Sequence, residues 1–164
     1  DYGHEKIAIF AAQPWDTSIS GLRSEGYKRA LAERNIPINK NLIRYTLEEV
    51  NAFTMENGYK LMKELLESEE EFTAVYAVSD SMVIGASKAI LESGKKIPED
   101  ISIVGFGHTN ISKVVEPKLT TVHFHYKTSG IEAANIIMNM IENGDKIIRD
   151  IKMGYEIIVQ ESTN

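Results

Sequence analysis

Apolar residues along this chain recur in two rhythms, short continuous runs and longer stretches with a three-to-four-residue period, and the two alternate. Residues 5–12, EKIAIFAA, read as a buried strand. Residues 17–35 read as a helix with Ile19, Leu22, Gly26, Tyr27, Ala30 and Leu31 on one stripe and Thr17 or Ser18 as N-cap. NLIRYT (41–46) is a second short strand, followed by a helix from about 49 to 68 whose inward stripe is Gly58, Leu61, Met62, Leu65 and Leu66. TAVYAV (73–78) is a third strand, and a helix over 80–93 follows, stopped by Gly94. ISIVGF (101–106) is a fourth strand, entered through the turn IPED. Strands alternating with helices of this length make βαβ units with right-handed crossovers, which predicts an α/β fold with a doubly wound, mainly parallel sheet.

In such sheets ligands bind beyond the carboxyl ends of the strands. Four places qualify: Ala11–Asp16, Tyr45–Glu48, Ser79–Ser81 and Phe106–Asn110. Ser79 and Asp80 raise a specific question, because a Ser-Asp pair between a strand and a helix is a capping signal as well as a set of acceptors for a ligand.

Composition narrows the function classes. The 164 residues are 43% hydrophobic and 26% charged, ordinary for a globular domain, with a formal net charge of −6. An acidic chain is a poor nucleic-acid-binding face. The absence of Cys excludes disulfides, thiolate metal sites and a cysteine nucleophile, and fits a cytoplasmic protein. No apolar run reaches the length of a membrane-spanning helix, and the first residues do not read as a secretory signal. The opening DYGHEKIAIF, without Met, reads as part of something longer.

Chemical motifs are sparse. There is no G-x-G-x-x-G after a strand and no P-loop, so nucleotide phosphates have no evident cradle and no cofactor is expected. His123 and His125 share one face of a possible strand, but a metal site needs a third ligand and none is evident. Ser79, Asp80 and His108 make a triad only on paper, since nothing resembling G-x-S-x-G positions a nucleophile. A receiver domain would want a carboxylate cluster after the first strand, where IFAAQPW offers none.

Several blocks together resemble the lactose- and galactose-repressor family of transcriptional regulators. They are YGHEKIAIF, GLRSEGYKRAL, AVYAVSDSMVIGASKAILESGKKIPEDISIVGF and PKLTTVHFHYKTSGIEAANIIMNMI, in one order over nearly the whole chain. The resemblance implies a periplasmic-binding-protein-like lobe without the family's DNA-binding helix-turn-helix. It assigns residues 1–120 to the C-terminal lobe of an effector-binding domain. Residues 121–146 become a crossover strand and helix belonging to the N-terminal lobe, and 147–164 the return.

The resemblance also implies a site. The effector, a sugar or sugar phosphate, would sit between the lobes against Arg23, Phe53, Ser79, Asp80, Gly107, His108, Phe124 and Tyr126. Arg23 offers a fork of donors, and Phe53 a platform for an apolar sugar face. Gly107 stands where the family usually places an Asp, which removes one charged acceptor for sugar hydroxyls. A homodimer interface is implied at Val83, Ile84, Ser87, Ile111, Val114 and Val115, and operator DNA would be reached only through the helix-turn-helix.

The resulting expectation is the sensing and dimerising part of a sugar-responsive repressor, neither an enzyme nor a membrane protein. The alternative from another class is a solute-binding protein of a sugar transporter, which shares the cleft. The helix over 126–144 carries one apolar stripe at Ile131, Ala134, Met138 and Ile141 and another at Ala133, Ile136, Ile137 and Met140, so it needs cover on two sides.

Overall fold

The computed structural model describes residues 2–46, 51–144 and 147–164. Six strands form one sheet: β1 (Ile7–Ala11), β2 (Ile43–Tyr45), β3 (Ala74–Ala77), β4 (Ser102–Gly107), β5 (Thr120–Phe124) and β6 (Tyr155–Ile158). Their spatial order is β2-β1-β3-β4-β5-β6, with every neighbouring pair parallel except β5 with β6. Four helices connect them: α1 (Ile19–Glu33), α2 (Met55–Leu66), α3 (Asp80–Glu92) and α4 (Tyr126–Asn143). The expected α/β class and mainly parallel sheet are thus present. Because β1 to β5 run in one direction, their carboxyl ends lie along one edge.

The central strands are covered on both faces, and Ala8, Ile9, Phe10, Val75, Ala77 and Ile103 are almost wholly buried. Helices α2 and α3 pack together unusually closely. A Cβ on Gly58 would lie 2.0 Å from the Met82 carbonyl oxygen, and one on Gly85 would lie 1.8 Å from that of Met55. Two glycines therefore let the backbones touch.

Three local expectations need correction. The inner face of α1 is Ser20, Ser24, Tyr27 and Leu31, whereas Ile19 and Leu22 stand in solvent at 63% and 72% exposure. The serines are satisfied locally: Ser20 Oγ accepts from the Ala12 N–H at 3.0 Å, and Ser24 Oγ donates to the Ser20 carbonyl at 3.0 Å. A polar pair bonded this way can replace apolar residues against the end of β1. Secondly, α2 begins only at Met55, because Thr54 Oγ1 accepts from the Asn57 N–H and Asn57 Nδ2 folds back onto the carbonyls of Asn51 and Ala52. Residues 47–50, which include part of the expected Tyr45–Glu48 mouth and the expected helix start, lie outside the described residues. Thirdly, residues 121–124 belong to β5 inside this sheet, hydrogen-bonded to β4 and β6. The helix after them behaves differently, for α4 has no buried residue.

Candidate effector cleft

Strand alternation decides which side chains can meet at the carboxyl edge, since successive residues face opposite sides of the sheet. Arg23 on α1 lies over the Phe106 ring, with its guanidinium carbon 3.8 Å from the centroid. Its Nη1 donates to the Val78 carbonyl at 2.5 Å. Phe124 joins the stack, 4.7 Å from Phe106 between centroids. Burial lowers the Arg23 pKa, opposed by the pull of Tyr76 and Asp80. The neighbouring Tyr76 phenol is pushed up to about 12, mainly by burial. This gives a cation over the Phe106 ring, with Phe124 farther off at 6.0 Å and tilted 54° to Phe106, an arrangement worth about 0.5–2 kcal/mol at a partly desolvated site.

The other side of β4 and β5 carries a different group. Asp80, the first residue of α3, is 1% exposed. Its carboxylate accepts from Thr121 Oγ1 at 2.6 Å, from the Thr109 N–H at 3.0 Å and, more weakly, from Thr109 Oγ1 at 3.5 Å. Ser79 is the N-cap, its Oγ accepting from the Met82 N–H at 3.3 Å. Capping is therefore real, but Asp80 points into the lobe and not towards the mouth, which corrects its expected place among cleft-facing groups. Gly105 makes room for it: a Cβ there would lie 2.4 Å from Asp80 Oδ1.

Beside Asp80, two imidazoles and a phenol meet the His123 imidazole edge-to-face. His108 and His123 lie 5.1 Å apart between ring centroids, His123 and His125 5.3 Å, and His123 and Tyr126 5.5 Å. Tyr126 Oη donates to the His108 carbonyl at 3.2 Å. The Nδ1 atoms of His108 and His123 are buried without a hydrogen-bond partner. Burial, helped by Lys113 and His123 and opposed by Asp80, holds the His108 imidazole below its ordinary pKa. His108 gives His123 and His125 a third imidazole neighbour, yet among the described residues no three His, Cys, Asp or Glu side chains converge as a metal site.

The expected site residues thus fall into two groups on opposite faces of the strand ends. Arg23 and Phe124 belong to one, and Asp80, His108 and Tyr126 to the other. Phe53 joins neither: it is 42% exposed in the turn before α2 and makes no hydrogen bond or ring contact with them. Sequence reasoning put Phe106 and Thr109 in a strand-end segment without giving either a role, and missed Thr121; all three roles depend on register across β4 and β5 (Phe106 opposite Val122, Gly105 opposite Thr121). It also gave no role to Trp15 within the Ala11–Asp16 strand end, the single tryptophan, 63% exposed after β1 and lining a concavity of about 380 Å³ with Asp16, Leu22 and Tyr45.

Gly107 has φ +135°, where L side chains are strained. A Cβ there would also lie 3.6 Å from Asp80 Oδ2, so an added carboxylate meets a like charge. Gly107→Asp is expected to cost about 1–3 kcal/mol of stability, which equilibrium urea unfolding would register. Thermal shift with a sugar panel would then show whether the new acceptor gains any ligand.

Of the expected dimer residues, Val83 is 1% exposed and packs in its own core, which corrects its placement on a free face. Ile84, Ser87 and Val115 line a groove of about 310 Å³ together with Leu91 and Pro117. Ile111 and Val114 are outside that lining, 36% and 77% exposed. A concavity of about 460 Å³ at the opposite edge, between Ile7, Tyr27, Leu31 and Leu42, contains none of the expected residues.

Comparison with known proteins places this geometry. The model of the periplasmic binding protein-like domain matches residues 1–163. The HTH-type transcriptional repressor PurR of Histophilus somni is 32% identical over 162 residues, covering 99% of this chain and 47% of the repressor. The chain spans about half the length of the curated relatives it matches. Among solved structures, the Escherichia coli transcriptional repressor ascG superposes with a TM-score of 0.87 at 30% identity, covering 98% of this chain and 56% of that one. A LacI family regulator from Enterococcus faecium with bound ribose gives 0.83 at 28% identity, over 99% of this chain and 57% of that one. The chain belongs to the periplasmic binding protein-like domain family; the PurR and ascG proteins it resembles are transcriptional repressors, and the Enterococcus faecium protein is a LacI family transcriptional regulator.

Proposed function

We propose that the chain is the effector-sensing and dimerising lobe of a sugar-responsive transcriptional repressor, and that a sugar or sugar phosphate binds between this lobe and a second one. The observation that carries this reading is the carboxyl edge of the sheet. There Arg23 lies over Phe106 beside Phe124 on one face of the strand ends, and the imidazole cluster lies on the other, so one edge carries apolar ring surface and polar atoms on its two sides. Sugar-sized ligands need that combination. The relatives' own role favours a regulator over a transporter's solute-binding protein. Binding without catalysis is supported by Ser79, whose hydroxyl is spent on the cap, and by Asp80, whose carboxylate is spent on Thr121 and Thr109.

The second lobe also accounts for α4. In this reading residues 126–143 cross to it, and 147–164 return to supply β6. The groove between α3 and Val115 would face a second copy, making a homodimer. Operator DNA would be contacted by the helix-turn-helix of the whole protein, in the cytoplasm. No helix of the described residues is long and apolar enough to cross a membrane.

Isothermal calorimetry on the whole regulator tests the ligand class. Ribose, glucose and the monophosphates of both should include at least one saturable ligand. If none binds while the protein is folded, the sugar reading falls. If one binds to a protein that retains no DNA, the transporter component gains.

A further inference from the structure

The Asp80 carboxylate is fully engaged, yet none of its partners lies on its own helix. Thr121 is on β5 and Thr109 follows β4. Thr121 Oγ1, while donating to Asp80, accepts from the His108 N–H at 3.3 Å, so both His108 and Thr109 hang from one buried charge. That segment has the least ordinary backbone in the sheet's edge: Gly107 at φ +135° and His108 at φ +50°. A non-glycine residue in the left-handed region persists only where its surroundings hold it. Here the holding bonds come from Thr121 and Asp80 on one side and from Tyr126 Oη on the other.

We propose that Asp80 is the positioning residue of the cleft, its buried carboxylate fixing residues 107–110 so that His108 stands at the mouth, and tying that lip to the first turn of α3. The proposal rests on the effector-cleft reading for its use, but not for its geometry. It changes what Asp80 does: the residue shapes the site without touching the ligand. It also gives the lip a route to the α3 groove. Ser112 Oγ donates to the Thr109 carbonyl at 2.8 Å, and the chain runs on through a 3-10 turn (Ile111–Lys113) to Val115 in the groove wall. A ligand that moves His108 therefore pulls on the same carboxylate that starts α3.

The test uses this chain with no ligand added, so its failure would leave the sugar reading standing, and the reverse. Asp80→Asn keeps the shape and removes the charge. Amide exchange at His108 and Thr109 should speed up about tenfold or more, the scale of losing a charge-assisted bond, while Ile9 and Val75 in the core keep the parent's protection. The His108 imidazole, which faces Lys113, His123 and Asp80, should titrate lower by NMR once the raising influence of Asp80 is gone. Thr121→Val should loosen the same two amides and Thr121→Ser should not, a pair that decides the matter if Asp80→Asn fails to fold. Unchanged exchange at His108 and Thr109 in every folded variant would overturn the proposal. So would loosening that is equal across the whole sheet, which would make Asp80 a general structural residue.

Discussion

Gly85→Ala should unfold much of this lobe's stability margin, and Gly58→Ala should do nearly the same. The new methyl carbon would sit 1.8 Å from the Met55 carbonyl oxygen in the first case and 2.0 Å from the Met82 carbonyl oxygen in the second. Both obstacles are backbone, so no side chain can swing aside. The only relief is to part α2 from α3, and that opens the layer containing Leu61, Met62, Met82 and Ala86. Overpacking usually costs about 1–3 kcal/mol, and an immovable contact belongs at or above the top of that range. Domains have only about 5–15 kcal/mol in hand. Gly26→Ala in α1 is the control, because nothing lies within 4 Å of its added Cβ. Alanine is the better helix former by about 0.8–1 kcal/mol. Urea unfolding should therefore move in opposite directions for one kind of substitution in two helices. Equal midpoints for Gly85→Ala and the parent would show that α2 and α3 do not pack this closely.

The second large effect concerns α4 and the outer sheet edge. Ile131, Ile137, Met138, Met140 and Ile141 are between 44% and 71% exposed on α4. Tyr155 and Ile157, two residues apart on one face of β6, are 68% and 60% exposed. Fully burying one such side chain is worth about 1.5–3 kcal/mol, so this chain by itself leaves a large stabilisation unused. Contiguous apolar patches of this kind seldom persist on soluble monomers. The 164-residue chain alone should associate as its concentration rises, and light scattering should follow it. Replacing Ile137, Met138 and Ile141 together by Lys should return it to monomers. A chain that stays monomeric at every concentration, with α4 protected from hydrogen exchange, would mean that the helix docks on its own lobe.

The same helix shows how far the sequence could be read. Its two apolar stripes were visible in the spacing of Ile131 to Ile141, and so was the need for cover. The strands β1 to β4 were legible because buried parallel strands are nearly continuous apolar runs. The strand β6, four residues at the edge, offers no such run in YEII. On α1 hydropathy pointed to Ile19 and Leu22, yet Ser20 and Ser24 face inward, because local hydrogen bonds with backbone groups make them acceptable there.

The cleft was legible as an edge but not as an arrangement. Spacing placed Ser79, Asp80 and His108 near the strand ends, the family resemblance added Tyr126, and all four lie there. Which face each occupies depends on register between β4 and β5, which no local pattern carries. Asp80 is the clearest case. A helix-capping acid and a ligand-binding acid have the same sequence context, and what separates them is the space left by Gly105, 25 residues on in the chain.

The claim that Arg23 and its aromatic stack form the effector contact is tested most directly by operator binding. The whole regulator and its Arg23→Ala variant would each be titrated onto an operator duplex selected from a random pool, followed by fluorescence anisotropy. Truncating a half-buried arginine that hydrogen-bonds the Val78 carbonyl and lies over Phe106 should leave DNA binding intact. The account predicts that the sugar or sugar phosphate found by calorimetry shifts the operator affinity of the parent and leaves that of the variant unmoved. A variant that still binds DNA and responds to the ligand at the parent's concentrations would contradict it.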